Sequence, residues 1–204
     1  MDNPDESRLE TIEKTLNGST RFHINSDSDF NNAIDHIIGL LTDSFTLITN
    51  NSYGSAAFLS ITALEETAKT NFSLFMKHDL NIKNSRDPLM THYKKHFLSV
   101  SPVFKIGTRL SETLGNEKID EIISQIDQKN GLMNLRNNAI YWHTDVDGNH
   151  FPKNYFDKNF AQELLLFSIE SFDDSLVGHN SYSIEASYST DAIFKEVAKK
   201  YSEK

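Results

Sequence analysis

Cysteine is absent from the chain. Disulfides, thiolate nucleophiles and cysteine-ligated metals are therefore excluded, and the composition suits a reducing compartment. Proline and glycine are scarce, four and eight in 204 residues, too few for an all-β chain that must turn about every ten residues. No apolar run is long enough to cross a bilayer; the best candidate, "AIDHIIGLLTDSFTLI", is broken by Asp35, His36 and Asp43. The first ten residues, "MDNPDESRLE", are acidic and polar, unlike a secretory or mitochondrial leader. The expectation is a cytoplasmic protein without a membrane partner. Gly-rich phosphate loops and Ser-His-Asp elbows are also missing. "DVDGNH" fails as a calcium loop, because its glycine is misplaced and the twelfth position from Asp145 is Phe156.

Positive charge is in deficit too. A formal net charge of −9 argues against a general nucleic-acid coat. The deficit is uneven, however. From Lys69 to Arg109 eight basic residues face only Asp79 and Asp87, so this segment is +6 and the remainder −15. An acidic body with one basic segment could hold RNA at one place, although a solvated lysine face would look the same.

What the chain has in quantity is aromatic and helical pattern. Fourteen phenylalanines and 38% hydrophobic residues are enough for one buried core. Apolar positions three and four apart predict helices over about 28–49 (Phe30, Ile34, Ile37, Ile38, Leu41, Phe45, Ile48) and about 53–78. Further helices are expected over 88–113, bent near Pro102, over 117–144 with an interruption point at Gly131, and over 157–177. "GHNSYSIEASYS" reads as a loop, followed by a short terminal helix in "TDAIFKEVAKKYSEK". The expected architecture is all-α: a helical bundle of about five main helices with short terminal helices, in a single domain spanning 1–204. Residues 1–20 are read as loosely attached, and 180–204 as a terminal helical extension.

Two stretches place an arginine ahead of a histidine. In "LRNNAIYWHTD", Arg136 and His143 stand seven positions apart, about two helical turns, so a continuous helix would put them on nearly one face with Ala139 and Ile140 between them. "RDPLMTH" carries Arg86 and His92, but Pro88 between them secures no shared face. Imidazole suits a proton shuttle near neutrality, and guanidinium stabilises negative charge building on phosphorus without a metal. Asn137 could orient either group. The plain alternative is a surface ion pair at Arg136 and a helix-terminal His143. Glu65 and Lys69 are at i,i+4, the spacing of an ordinary helix ion pair. His92 and His96 share that spacing, but no third ligand is visible nearby in sequence, so no metal site is expected.

An all-α chain with Arg, a polar Asn and then His near the end of a late helix resembles the HEPN superfamily, and six intervening residues lie within that family's usual four to six. Two more stretches narrow the likeness. "YGSAAFLSITALEETAKTNF", residues 53–72, is similar to the small-residue helix with Glu-Glu and Lys of AbiV-type abortive infection proteins, and "THYKKHF", residues 91–97, to a His/Lys stretch further along them. The likeness covers about 28–175. It implies a metal-independent endoribonuclease of phage defence, without cofactor, with Arg136, Asn137 and His143 catalytic and Glu65 and Lys69 in support. RNA would be the substrate, held by Arg86, His92, Lys94 and Lys95. The resemblance further implies a homodimer closing over Ile140, and a phage-encoded activator or protein inhibitor as partner. A non-catalytic HEPN module that senses a phage protein or regulates a partner is the rival reading.

Overall fold

The structure, a computed structural model, describes residues 8–100, 108–128 and 130–203. Among these residues the order of elements is α1 (Arg8–Leu16), β1 (Ser19–Thr20), α2 (Asp27–Thr49), α3 (Tyr53–Ser73), β2 (Lys77–His78), two 3-10 turns (Asn84–Arg86 and Pro88–Met90), α4 (His92–Ser99), α5 (Arg109–Leu114), α6 (Asn116–Asp127), α7 (Gly131–Ile140), β3 (His143–Asp145), β4 (Gly148–His150), α8 (Pro152–Tyr155), α9 (Lys158–Leu176) and α10 (Ser181–Ser202). The protein is an all-α bundle; its strands form only two minimal ladders, β1 with β2 in parallel and β3 with β4 antiparallel.

Local chemistry starts these helices. Ser26 caps α2 by accepting the Asp29 amide, Asp157 caps α9 through Phe160, and Asn180 forms a capping box with Ser183 at the start of α10. Packing then decides their place. α3 lies at the centre, against α2, α9, α4 and α7. Its small residues Gly54, Ala56, Ala57, Ser60 and Ala63 are all buried, which lets neighbouring backbones come close. A Cβ on Gly54 would stand 3.0 Å from the Ala139 carbonyl oxygen, so α7 sits directly on this surface. Fourteen of the nineteen residues of α9 are buried, the pattern of a helix enclosed on every side. Its Leu165, Leu166, Phe167, Ile169 and Phe172 are fully inaccessible, each worth roughly 1.5–3 kcal/mol of burial. They meet Ile34, Ile37 and Leu41 of α2 and Ile61 and Leu64 of α3 in one core. Three serines lace the same helices: Ser44 Oγ lies 2.9 Å from both the Ala56 carbonyl and Ser60 Oγ, and Ser168 Oγ donates to the Ser60 carbonyl at 3.0 Å.

Several helices depart from their expected limits. α3 ends at Ser73, not near 78, because the chain leaves it to pair Lys77–His78 with Ser19–Thr20. The expected helix over 88–113 is a 3-10 turn, α4 and α5; its bend at Pro102 lies outside the described residues. The helix expected over 117–144 is divided at Gly131, as its interruption point suggested, with Asn130 left-handed at φ 64°. It also stops at Ile140, and the following residues turn back as a hairpin. "SYSIEASYS" is helical, so α10 has 22 residues and brings Ile193, Phe194 and Val197 into the main core.

Candidate functional site

Glu65 is the most heavily engaged side chain of α3. It is 2% exposed, on the face that α4 and α7 cover. The sequence "HYKKH" places His92, Lys95 and His96 on one face of α4, one turn apart. All three converge on that carboxylate: His92 Nδ1 at 2.7 Å and Lys95 Nζ at 3.0 Å from Oε2, and His96 Nε2 at 2.6 Å from Oε1. Arg136 of α7 brings its Nε to 3.7 Å from Oε1, and its guanidinium lies 4.6 Å over the ring of Phe58. Phe58 and Glu65 are two turns apart on α3, so one helix face supplies both a π-surface and an anion to the arginine. Burial alone would raise the Glu65 carboxyl; the hydrogen bond and charge of His96, then those of Lys95, overcome it and hold it at about 2.

Arg136 is thus ordered from below yet left open. Its guanidinium makes no hydrogen bond among the described residues, and its Nε is buried without a partner. A planar cation fixed in direction, with unspent donors, is suited to a phosphate oxygen.

His143 is not on the helix of Arg136. The backbone of Tyr141 is extended (φ −111°, ψ 132°), and His143 opens β3, three residues beyond α7. The shared helix face expected for the pair is therefore replaced by a helix end and a hairpin. Its turn is the "DVDG" read from sequence: Asp145 Oδ1 accepts the Asp147 amide at 2.8 Å, and Gly148 takes φ 118°. His143 faces His150 across the hairpin, the two rings stacked with centroids 5.0 Å apart. Tyr155 packs on both, at 5.9 and 5.6 Å. His150 Nε2 stands 2.7 Å from Asp145 Oδ1, and that bond, with the Asp147 amide, holds the Asp145 carboxyl below its usual range. Asn137 is exposed in the last turn of α7, where its carbonyl accepts the Tyr141 amide.

The other expected residues are distributed unevenly. Lys69 does not pair with Glu65 as the i,i+4 spacing suggested. It pairs with Glu66, and its ammonium lies 4.8 Å from the centroid of the Phe22 ring, because Glu65 points into the bundle. Lys95 is buried on Glu65, whereas His92 keeps a side chain 37% exposed. Lys94 is half-buried. Arg109, part of the basic segment, is consumed internally by Glu170 (2.5 Å), Asp173 and Asp191 (2.5 Å). Exposed positive charge remains at Lys77, Lys83 and Arg86. Asp87 anchors that stretch by accepting the Thr20 hydroxyl and the Arg21 amide.

His96 was visible in sequence only as the i+4 neighbour of His92, and the missing third ligand turns out to be Glu65: donors of Glu65, His92 and His96 lie within 4.8 Å of one another. Two imidazoles and a carboxylate are a zinc donor set. Here, though, Lys95 and Arg136 already answer the Glu65 charge, and a dication would be buried against two fixed cations. The cluster is better matched to holding α4 and α7 on α3 than to holding a metal.

Beyond Arg136 lies an apolar edge. Ile140 is 37% exposed, Tyr141 and Trp142 62%, Phe151 42% and Val146 100%. Trp142 and Phe151 stack across the hairpin at 6.0 Å. No helix among the described residues is long and apolar enough to cross a membrane.

Comparison with known proteins gives a family match. The family model HEPN_AbiV, described as AbiV, matches residues 30–170, from the first core position of α2 into α9. No curated protein and no solved structure matched the chain.

Proposed function

Because the chain belongs to the HEPN AbiV family, we propose that it is a metal-independent endoribonuclease acting in abortive infection, cleaving RNA and so blocking translation or phage propagation. The observation that carries this reading is the state of Arg136, fixed by Glu65 and Phe58 with its guanidinium free of hydrogen bonds among the described residues. In the reaction, the substrate 2′-oxygen forms a bond to the adjacent phosphorus and the bond to the 5′-oxygen breaks. His143 moves the proton between these oxygens, Arg136 stabilises the charge on phosphorus, and Asn137 orients the phosphate. Lys77, Lys83 and Arg86 supply exposed positive charge for the RNA backbone. A homodimer forms over the apolar edge at Ile140, Tyr141 and Trp142, whose exposure supports a partner surface there. A phage-encoded activator or a protein inhibitor governs it in the cytoplasm.

Wild type, Arg136→Lys and His143→Ala should be expressed in bacteria while growth and total RNA integrity are followed. The lysine keeps a charge near Glu65 but loses the planar fork. Both variants are expected to relieve toxicity while remaining folded, and purified wild type should cut RNA in EDTA to leave 2′,3′-cyclic phosphate ends. Magnesium-dependent cleavage with 5′-phosphate ends would refute the mechanism.

One observation favours a second reading. α7 ends before His143, so no helix holds the two residues together. If purified dimer cuts no RNA after exposure to its trigger, the protein is a non-catalytic HEPN module that binds a phage protein.

A further inference from the structure

The β3–β4 hairpin sets beside His143 two side chains, Asp145 and His150, that the ribonuclease reading leaves unused. His143 and Asp145 are two residues apart on β3 and so point to one face of the ladder, and His150 is the cross-strand partner of His143. The partner of Asp145 is Gly148, which has no side chain to occupy that face. We infer that His143, Asp145 and His150 form a binding site for a zinc-type dication, in the contiguous pattern His-x-Asp-x4-His.

The donor set and its surroundings both support this. One donor atom from each residue lies within 4.8 Å of the other two. Donors around a tetrahedral zinc stand roughly 3.3 Å apart, so small side-chain rotations would close the site. Asp145 Oδ1 is engaged by His150 and the Asp147 amide, while Oδ2 has no hydrogen bond among the described residues. Tyr155, against both rings, restricts their rotation. Two imidazoles and one carboxylate suit zinc, nickel or copper, while calcium and magnesium require more oxygen ligands. Three protein ligands leave a fourth position open for water. Charge separates this site from the Glu65 cluster. From Asn137 to Pro152 the sequence has Asp145 and Asp147 and neither lysine nor arginine, so no cation of this stretch opposes a metal.

The consequence rests on the proposed function, although the site itself does not. A dication on His143 would occupy the imidazole nitrogen needed for proton transfer, so zinc would act as a reversible inhibitor of RNA cleavage. EDTA would then preserve or raise activity.

Trp142 is the sole tryptophan of the chain and adjoins His143, which provides a direct reading. Nickel chloride titrated into the full-length protein should quench its fluorescence saturably, at one ion per chain, and zinc chloride should compete. His150→Ala and Asp145→Asn should weaken binding by roughly tenfold or more, with unchanged far-ultraviolet circular dichroism. His92→Ala should bind as wild type does. In the RNA assay, zinc should slow wild type, whereas His150→Ala should cut RNA without zinc sensitivity. Quenching that never saturates, or binding lost with His92→Ala and kept with His150→Ala, would overturn the site. Saturable binding in a protein that cuts no RNA would support the site and remove only the inhibition.

Discussion

Replacing Glu65 by glutamine tests how the site is assembled. The amide keeps the shape of the carboxylate but removes the anion that His92, Lys95, His96 and Arg136 share. A carboxyl held at about 2 instead of 4.5 corresponds to roughly 3 kcal/mol of stability at pH 7. The usual cost of breaking a buried pair, about 3–5 kcal/mol, is of the same size. The folded-state value lies below the unfolded one, so this stability is present above about pH 4.5 and is lost as pH falls towards 2. At pH 3 the wild-type advantage should have shrunk to less than about half of that at pH 7. Urea denaturation of both proteins at pH 7 and pH 3 measures the two differences, and near neutrality the melting temperature should drop by roughly 6–12 °C. A difference below about 1 kcal/mol at pH 7, the range of exposed pairs, would refute the central role of Glu65. So would a difference that does not narrow on acidification.

Ile140→Asp, in the exposed apolar edge, should give a folded monomer by size-exclusion chromatography with light scattering, and one without ribonuclease activity; a monomer cutting at the wild-type rate would overturn the dimer. Asp174 is pushed up to about 6 by burial and by Glu170, so its favourable, protonated state is lost as pH rises through 6. Asp174→Asn should therefore stabilise the protein by ~1 kcal/mol at pH 8, after allowance for partial exposure, and by nothing at pH 4 in paired thermal melts. Gly131→Ala would set a Cβ 1.8 Å from the Gln125 carbonyl oxygen. It should cost about 3 kcal/mol in denaturant and reduce activity, because α7 carries Arg136.

The legible parts of this fold were those that long periodic segments decide. Phe30, Ile34, Ile37 and Leu41 announce α2 because nearly every contact they make is on one stripe. The start of α10 was missed because Ser, Tyr and Ile in "SYSIEASYS" are indifferent helix formers, and its cap and its packing on α2 and α9 settle it. β3 and β4 have three residues each, too short for any alternation to register, although their turn was readable. Within the candidate site, Arg136, His143 and Glu65 could be singled out from sequence, but the pairing of Glu65 with Lys69 was misjudged, since Lys69 goes to Glu66. An i,i+4 rule sees only its own helix, whereas the direction of Glu65 follows from α4 and α7 closing over it. The signal available was three basic residues on one face of "HYKKH" and, on a small-residue helix, the first of two adjacent acids facing them.

Ser44, Ser60 and Ser168 carry one further consequence. Apolar helix surfaces tolerate sliding, since one methyl against another is nearly as good a turn away. A hydroxyl aimed at a particular carbonyl does not. The bonds from Ser44 to Ala56 and Ser60, and from Ser168 to Ser60, act as detents that index α2, α3 and α9 to one axial setting. Glu65 stands five residues beyond Ser60 on the same rigid helix, so a slip of one turn would carry it about 5.4 Å from the basic residues gathered around it. Three neutral hydroxyls thereby set the alignment tolerance of the charged site.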